Sequence, residues 1–220
     1  MLVKMWMSDE VITAPPDLPI MEAADLMKRE GIRRLPVVDK KGRLVGIVTQ
    51  GDIQEASPSD ATSLSIWELN YLLARITLEE IMTREVVTIS PDTPVEEAAV
   101  LMREKKVSGL PVVEDNKLVG IITESDIFEV MIEVMGVRRG GTRLTLELED
   151  RPGALCEALE LIRKHQVNIL SVVTCEECPA PPGYGVVVIR LETTDPEPIL
   201  EELKGAGISV AEVRTLQAKG

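Results

Sequence analysis

The sequence has 220 residues, of which 45% are hydrophobic and 2% aromatic, and its formal net charge is −13. This length predicts two compact units with aliphatic cores, and the negative charge disfavours nucleic acids and anionic membranes as partners. The longest apolar runs are strand-sized, as in Val186–Ile189, and residues 1–7 lack a signal-peptide pattern, so we expect a cytoplasmic protein without a membrane span.

Residues 3–53 have the pattern of a β-α-β-β-α unit. Its first helix is predicted from an apolar face between a proline that can open a helix and a glycine that can end it. In order, the predicted elements are a strand at Val11–Thr13, a helix from Pro19 to Gly31, hairpin strands at Leu35–Val38 and Leu44–Val48, and a helical stretch that begins at Asp52.

The same pattern returns at residues 78–128. Between positions 3–39 and 78–114, 16 of 37 aligned residues are identical. Both copies keep a Leu-Pro-Val-Val strand and a Gly-Ile-x-Thr-x-x-Asp segment, and Thr93 with Glu96 predicts a capping box in the second copy. Each copy is too small to bury its own sheet, so the two should pack against each other.

A polar insert separates the repeats, and a third region follows them. In the insert, Ser65 and Glu68 predict a capping box at the start of an amphipathic helix. The third region has the β-α-β-β-α-β order of a ferredoxin-like sandwich, with strands predicted at Thr142–Leu148, Val167–Thr174, Val186–Leu191 and Ile208–Leu216. The predicted bounds are repeat 1 at 1–56, the insert at 57–77, repeat 2 at 78–135, a linker at 136–141 and the third region at 142–220.

The repeat pair resembles tandem CBS domains, or a Bateman module, through its two Leu-Pro-Val-Val strands and two Gly-Ile-x-Thr-x-x-Asp segments. The resemblance implies an α+β fold whose cleft between the repeats binds an adenosine-containing ligand of the AMP, ADP, ATP or S-adenosylmethionine class. A carboxylate at a helix start can accept ribose hydroxyl protons, although Asp also serves as a helix cap. The residues that the resemblance places at the ligand are Thr13, Arg33, Arg34, Pro36, Thr49, Asp52, Thr88, Ser108, Pro111, Thr123 and Asp126.

Arg33 and Arg34 precede the first Leu-Pro-Val-Val, where the second copy has Ser108 and Gly109. Guanidinium groups match phosphate oxygens bidentately, although a solvated arginine pair at a strand start is also common. The difference between the copies predicts two unequal clefts, one of which could be empty.

The third region resembles an ACT domain through the run from Asp150 to Leu155 and through Asn168-Ile169. Such domains generally bind amino acids at paired interfaces, and a glycine at a helix start lets backbone N–H groups face a carboxylate. The alternative is a simple strand-to-helix turn at Pro152-Gly153. The residues that this resemblance implicates are Asp150, Gly153, Ala154, Leu155, Asn168 and Ile169.

The three cysteines and the single histidine do not have the pattern of a disulfide framework, a zinc site or a catalytic triad. An odd cysteine count is not typical of a disulfide framework, and Cys175-x-x-Cys178 lacks the second pair that a zinc site needs. We therefore expect an incidental cysteine pair, with a metal bridging two copies as the alternative. His165 lies in a polar helix end, which indicates no nucleophilic triad.

The combination of two CBS-like repeats and an ACT-like region resembles the AcuB type of acetoin-utilisation proteins. It implies a non-catalytic sensor that requires no cofactor, forms a homodimer and passes ligand occupancy to a partner enzyme or regulator. A ligand-free dimerisation scaffold or regulatory subunit with vestigial sites is the alternative, and a metal at the cysteines would favour an enzyme.

Overall fold

The computed structural model describes residues 1–56, 73 and 75–216, which form two compact units, Met1–Ile127 and Phe128–Gly220. Most of the insert, including the predicted capping box of Ser65 and Glu68, lies outside the described residues. Within the described ranges, no helix has the length and apolar character needed to cross a membrane.

The first unit contains the two sequence repeats, each with a helix and a two-stranded antiparallel hairpin. Repeat 1 contributes α1 (Ile20–Glu30), β1 (Arg34–Val38), β2 (Leu44–Thr49) and α2 (Gln50–Ala56). Repeat 2 contributes α3 (Leu78–Ile81), α4 (Val95–Lys105), β3 (Gly109–Glu114), β4 (Lys117–Thr123) and the start of α5 (Glu124–Val134), whose residues from Phe128 onward belong to the second unit. The predicted ends of the first helix are confirmed, with Pro19 as N-cap and Gly31 in the left-handed conformation at its C-cap, at φ 67°.

The two repeats exchange their leading segments. Residue Ser8 pairs with Ile121 in the hairpin of repeat 2, while Thr83 pairs with Ile47 in the hairpin of repeat 1. Side chains follow the same exchange, since Val3 is fully buried in the core of repeat 2 and Leu78 in that of repeat 1. The first residues of each repeat therefore complete the core of the other repeat.

Two details of the repeats differ from the prediction. The runs predicted as strands at Val11–Thr13, and its copy at residues 86–88, form no strand, and each is followed by a single parallel bridge from Ala14 or Ile89. Prolines after the first run and the shortness of both runs leave room for one bridge only. The capping box predicted at Thr93 is also wrong, because Pro94 is the N-cap of α4 and makes no side-chain cap.

The second unit contains a four-stranded antiparallel sheet with two helices packed on one face. Its elements are β5 (Gly141–Glu149), α6 (Ala154–Arg163), β6 (Ile169–Cys175), β7 (Tyr184–Leu191), α7 (Glu197–Gly205) and β8 (Ser209–Leu216). The strand order β6-β7-β5-β8 confirms the predicted ferredoxin-like sandwich. Alternate residues of β5, namely Leu144, Leu146 and Leu148, lie in the core against α6 and α7, as period-2 patterning requires.

Candidate functional site

Two clefts lie where the repeats of the first unit meet, and they are related by the duplication. The larger, about 450 Å³, includes Thr123 and Asp126 of repeat 2. The smaller, about 230 Å³, includes their counterparts Thr49 and Asp52 of repeat 1. The predicted inequality of the clefts is thus visible in their volumes, although the ligand-binding role of their residues stays a prediction.

The aspartate of each Thr-x-x-Asp segment holds the start of its helix with one oxygen. In both copies Oδ2 accepts a bond of 2.7 Å from the backbone N–H of the threonine and another of 2.7 Å from its hydroxyl. Among the residues that the structure describes, no hydrogen bond reaches Oδ1 of Asp52 or Asp126. A helix cap and a ligand contact are therefore compatible roles for these residues, because the cap bonds in both copies use the same single oxygen, Oδ2.

Arg34 bridges the two repeats at the centre of the clefts. Its guanidinium donates a hydrogen bond to the hydroxyl of Ser108, and both residues line both clefts. Burial lowers the pKa of Arg34, while the charge of Glu124 raises it, Arg33 lowers it and Asp126 raises it. A half-buried cation thus stands at the boundary between the clefts.

The remaining charges differ between the clefts. Arg33 lines only the larger cleft, together with the carboxylates of Glu10, Glu124 and Asp126. The smaller cleft has Lys106 instead, with Glu85 and Asp52. A phosphate-bearing ligand would meet two adjacent arginines only in the larger cleft, and guanidinium pairs bind phosphate with bidentate geometry.

The structure brings most of the predicted nucleotide-site residues into these two clefts and leaves two outside. Pro36 lines the larger cleft and Pro111 the smaller. Thr13 and Thr88 line neither of them and instead face two other surface depressions. The strands predicted at these threonines do not form, and the ligand-binding role of both residues stays a prediction.

The sequence analysis missed the residues just before those threonines. Glu10 and Val11 line the larger cleft, and Glu85 and Val86 line the smaller one. Each pair is identical between the two repeats at aligned positions. The internal identities of the chain were therefore the signal that could have located this part of the site.

The predicted amino-acid site of the second unit is divided. A cavity of about 460 Å³ is lined by Asp150, Ala154 and Leu155, and Gly153 does not line it although it begins α6 at φ 93°. Asn168 and Ile169 lie at the opposite end of β6, where the Asn168 amide donates to the Glu192 carboxylate at 2.8 Å. One chain therefore does not bring the six residues into one site.

Arg151 is the cation that lines this cavity, and its guanidinium already forms ion pairs with two carboxylates. Its guanidinium contacts Glu149 at 2.7 Å and Glu157 at 2.6 Å. The hydrogen bond from Arg151 lowers the pKa of Glu157. A ligand carboxylate in this cavity would compete with two ion pairs, which weakens the case for an amino-acid site there.

The cysteine pair is not incidental in the structure. Cys175, the last residue of β6, forms a disulfide with Cys178, while Cys156 is free and exposed. An odd number of cysteines is not typical of a disulfide framework, but this single pair has a Cα–Cα distance of 5.4 Å, which a disulfide can span. No group of three or more potential metal ligands occurs within the described ranges.

Comparison with known proteins identifies the family. A family model described as CBS domain matches residues 3–59 and 78–133. The chain belongs to the CBS-domain family. A second model, described as TTHA0829-like ACT domain, matches residues 140–214. The resemblances to a tandem CBS pair and to an ACT domain are therefore confirmed.

Solved structures resemble the CBS pair of this chain. The CBS domain pair of protein MJ0100, in complex with 5′-methylthioadenosine and S-adenosyl-L-methionine, is 40% identical with a TM-score of 0.50, covering 60% of this chain and 95% of that one. AcuB from Vibrio cholerae is 31% identical with a TM-score of 0.53, covering 62% of this chain and 94% of that one. CBSX2 in complex with AMP is 26% identical with a TM-score of 0.51, covering 60% and 97%.

Curated relatives share the same region. CBS domain-containing protein YhcV of Bacillus subtilis is 31% identical over 143 residues, which are 65% of this chain and 92% of that protein. L-aspartate semialdehyde sulfurtransferase of Methanocaldococcus jannaschii is 41% identical over 127 residues, which are 57% of this chain and 22% of that enzyme. The chain thus spans about a fifth of the length of that enzyme and matches it through a CBS region.

Proposed function

We propose that this CBS protein is a non-catalytic sensor that binds an adenosine-containing ligand in the larger cleft. The observation that carries the proposal is the Asp126 carboxylate, whose Oδ1 accepts no hydrogen bond from the described residues, in a cleft of about 450 Å³ that also contains Arg33 and Arg34. Small-molecule sites usually measure about 300–1,000 Å³, so the larger cleft fits this range and the smaller one, at 230 Å³, falls below it. Relatives of similar fold bind 5′-methylthioadenosine, S-adenosyl-L-methionine or AMP, which supports this ligand class.

Each part of such a ligand has a complementary group in the larger cleft. Ribose hydroxyls can donate to Oδ1 of Asp126, whose other oxygen is fixed by the cap and keeps the carboxylate in place. A phosphate can bind Arg33 and Arg34, and the apolar faces of Ile32, Pro36 and Ile121 can pack against an adenine ring.

Ligand occupancy would act on a partner through the geometry of a homodimer. Such a signal requires the ligand to bind one arrangement of the protein more tightly than another. The ACT domain could add an amino acid as a second input, bound between two copies. The proposal includes a partner enzyme or regulator that receives this signal, and a role in acetoin utilisation.

Calorimetric titration tests this proposal. AMP, ADP, ATP and S-adenosyl-L-methionine would be titrated into the full chain and into the matched variants Asp126→Asn and Asp52→Asn. We expect one of these ligands to bind, with the tighter binding step, that of the larger cleft, lost in Asp126→Asn and retained in Asp52→Asn. Absence of heat with all four, from a protein whose circular dichroism shows a folded state, would refute the sensor.

A ligand-free dimerisation scaffold is the second candidate. The observation that favours it is that both aspartates already cap helices and Arg34 already bonds Ser108. Under this alternative the titrations give no heat of binding, while sedimentation shows a dimer with or without ligands.

A further inference from the structure

Arg34 and Gly109 occupy equivalent positions at the starts of β1 and β3, where the repeats meet. A Cβ atom at Gly109 would lie 3.1 Å from Cδ and 3.1 Å from Nε of Arg34. The junction therefore has room for one long side chain. Repeat 2 has Gly109 there, and the side chain of Arg34 from repeat 1 lies in the space that a side chain at position 109 would need. This explains why a duplicated pair of clefts contains an unduplicated cation.

Arg34 also lines both clefts, whereas Arg33 lines only the larger cleft and Lys106 only the smaller one. The guanidinium bonds the Ser108 hydroxyl, which itself lines both clefts. Among the described residues that line the clefts, Arg34 is the one cation common to the two.

We propose that Arg34 couples the two clefts, so that an anionic nucleotide in the larger cleft weakens the binding of a second anionic nucleotide in the smaller one. This inference rests on the proposed function, because it requires that the larger cleft binds a nucleotide. It also requires that the smaller cleft takes up a nucleotide, and it predicts that this cleft prefers a neutral nucleoside once the larger cleft is filled.

The physical reason is the sharing of one charge. A phosphate that binds a guanidinium bidentately uses two of its N–H donors and neutralises its charge. A second phosphate near the same group then gains little and is repelled by the first, at a distance where a partly buried site screens poorly. An uncharged nucleoside such as adenosine has no phosphate, so its binding in the smaller cleft is not weakened by this repulsion.

The test measures the affinity of the smaller cleft for AMP twice, once with AMP bound in the larger cleft and once with the larger cleft unable to bind it. The full wild-type chain, which binds AMP in the larger cleft first, gives the first dissociation constant, and Asp126→Asn gives the second. The AMP ratio is the first constant divided by the second. Coupling energies between sites commonly change affinity by about 5- to 150-fold, so we expect AMP to bind the smaller cleft at least about fivefold more weakly in wild type. Adenosine, titrated into wild type whose larger cleft alone is filled with AMP and into Asp126→Asn, should give a ratio near one.

Arg34→Met separates the shared charge from the other causes, since it keeps an extended side chain at the junction. The AMP ratio, measured in Arg34→Met and in Arg34→Met with Asp126→Asn, should fall to less than half of the wild-type ratio. The matched control Arg33→Met, measured with and without Asp126→Asn, changes a cation of the larger cleft alone and should keep the ratio.

The outcomes separate this inference from the proposed function. A ratio below two in wild type, or an equal ratio in Arg34→Met, overturns the coupling while nucleotide binding stands. If Asp126→Asn takes up no AMP, the smaller cleft is not a site and the coupling is wrong, although the first binding step in wild type still supports the sensor. If wild type binds no nucleotide, both fail.

Discussion

Replacing Asp126 and Asp52 separately by alanine distinguishes a helix cap from a ligand site. Both aspartates accept two hydrogen bonds of 2.7 Å from the preceding threonine, with the same geometry. Loss of such a cap costs about 0.5–2 kcal/mol in the free energy of unfolding. We therefore expect Asp126→Ala and Asp52→Ala to be destabilised by the same amount, about 1 kcal/mol each.

Ligand affinity should separate the same two variants. A hydrogen bond to a charged group contributes about 1.5–3 kcal/mol, so losing one ribose bond at Asp126 weakens binding about 10- to 150-fold. Asp52→Ala should leave the tighter binding step within about a factor of three, because it changes only the smaller cleft.

Urea unfolding and calorimetric titration on the same samples provide both numbers. Equal loss of affinity in the two variants would contradict the assignment of the ligand to the larger cleft. Unequal loss of stability would contradict the equivalence of the two caps, even if the affinities behaved as expected.

Three other changes have clear expected results. Gly141→Ala should lower the free energy of unfolding in urea by at least about 3 kcal/mol, because φ is 80° and the new Cβ would overlap the carbonyl oxygen of Leu191. The control Gly207→Ala, at φ 79° with open space, should lower it by about 1 kcal/mol. Hydrogen bonds from Arg43 lower the pKa of Asp39 from 3.8 to about 2, so its stabilising contribution is present above pH 3.8 and lost as the pH falls towards 2; a carbon-detected NMR titration of the carboxyl checks this. A thiol assay on the denatured, unreduced chain should find one thiol, that of Cys156, and three after reduction; three before reduction would contradict the disulfide.

The sequence predicted those parts of the fold that depend on local pattern. Apolar runs and turns located the hairpins of both repeats, and strict alternation located β5 with its core residues Leu144, Leu146 and Leu148. The repeat itself indicated two related clefts, and the change from Arg33-Arg34 to Ser108-Gly109 indicated that they differ.

Other features depend on contacts between distant segments, which local pattern does not contain. Thr13 is a good strand residue by propensity, but it forms no strand and lines a depression other than the two clefts. Asp150 follows the end of β5, whereas Asn168 precedes the start of β6, and α6 between them returns the chain to the opposite end of the sheet. The role of Arg34 in both clefts follows only from the meeting of β1 and β3 in space.

The exchanged leading segments make the two CBS repeats inseparable during folding and under proteolysis. Lys4 pairs with Asp92 across 88 positions, and contacts at such separation slow folding relative to local hairpins. Clipping the first eight residues would leave the backbone of β4 unpaired at Ile121 and remove Val3 from a core to which it contributes a fully buried side chain. An exposed strand edge of that kind invites intermolecular pairing, so damage to the amino terminus should first be seen as self-association through the second repeat.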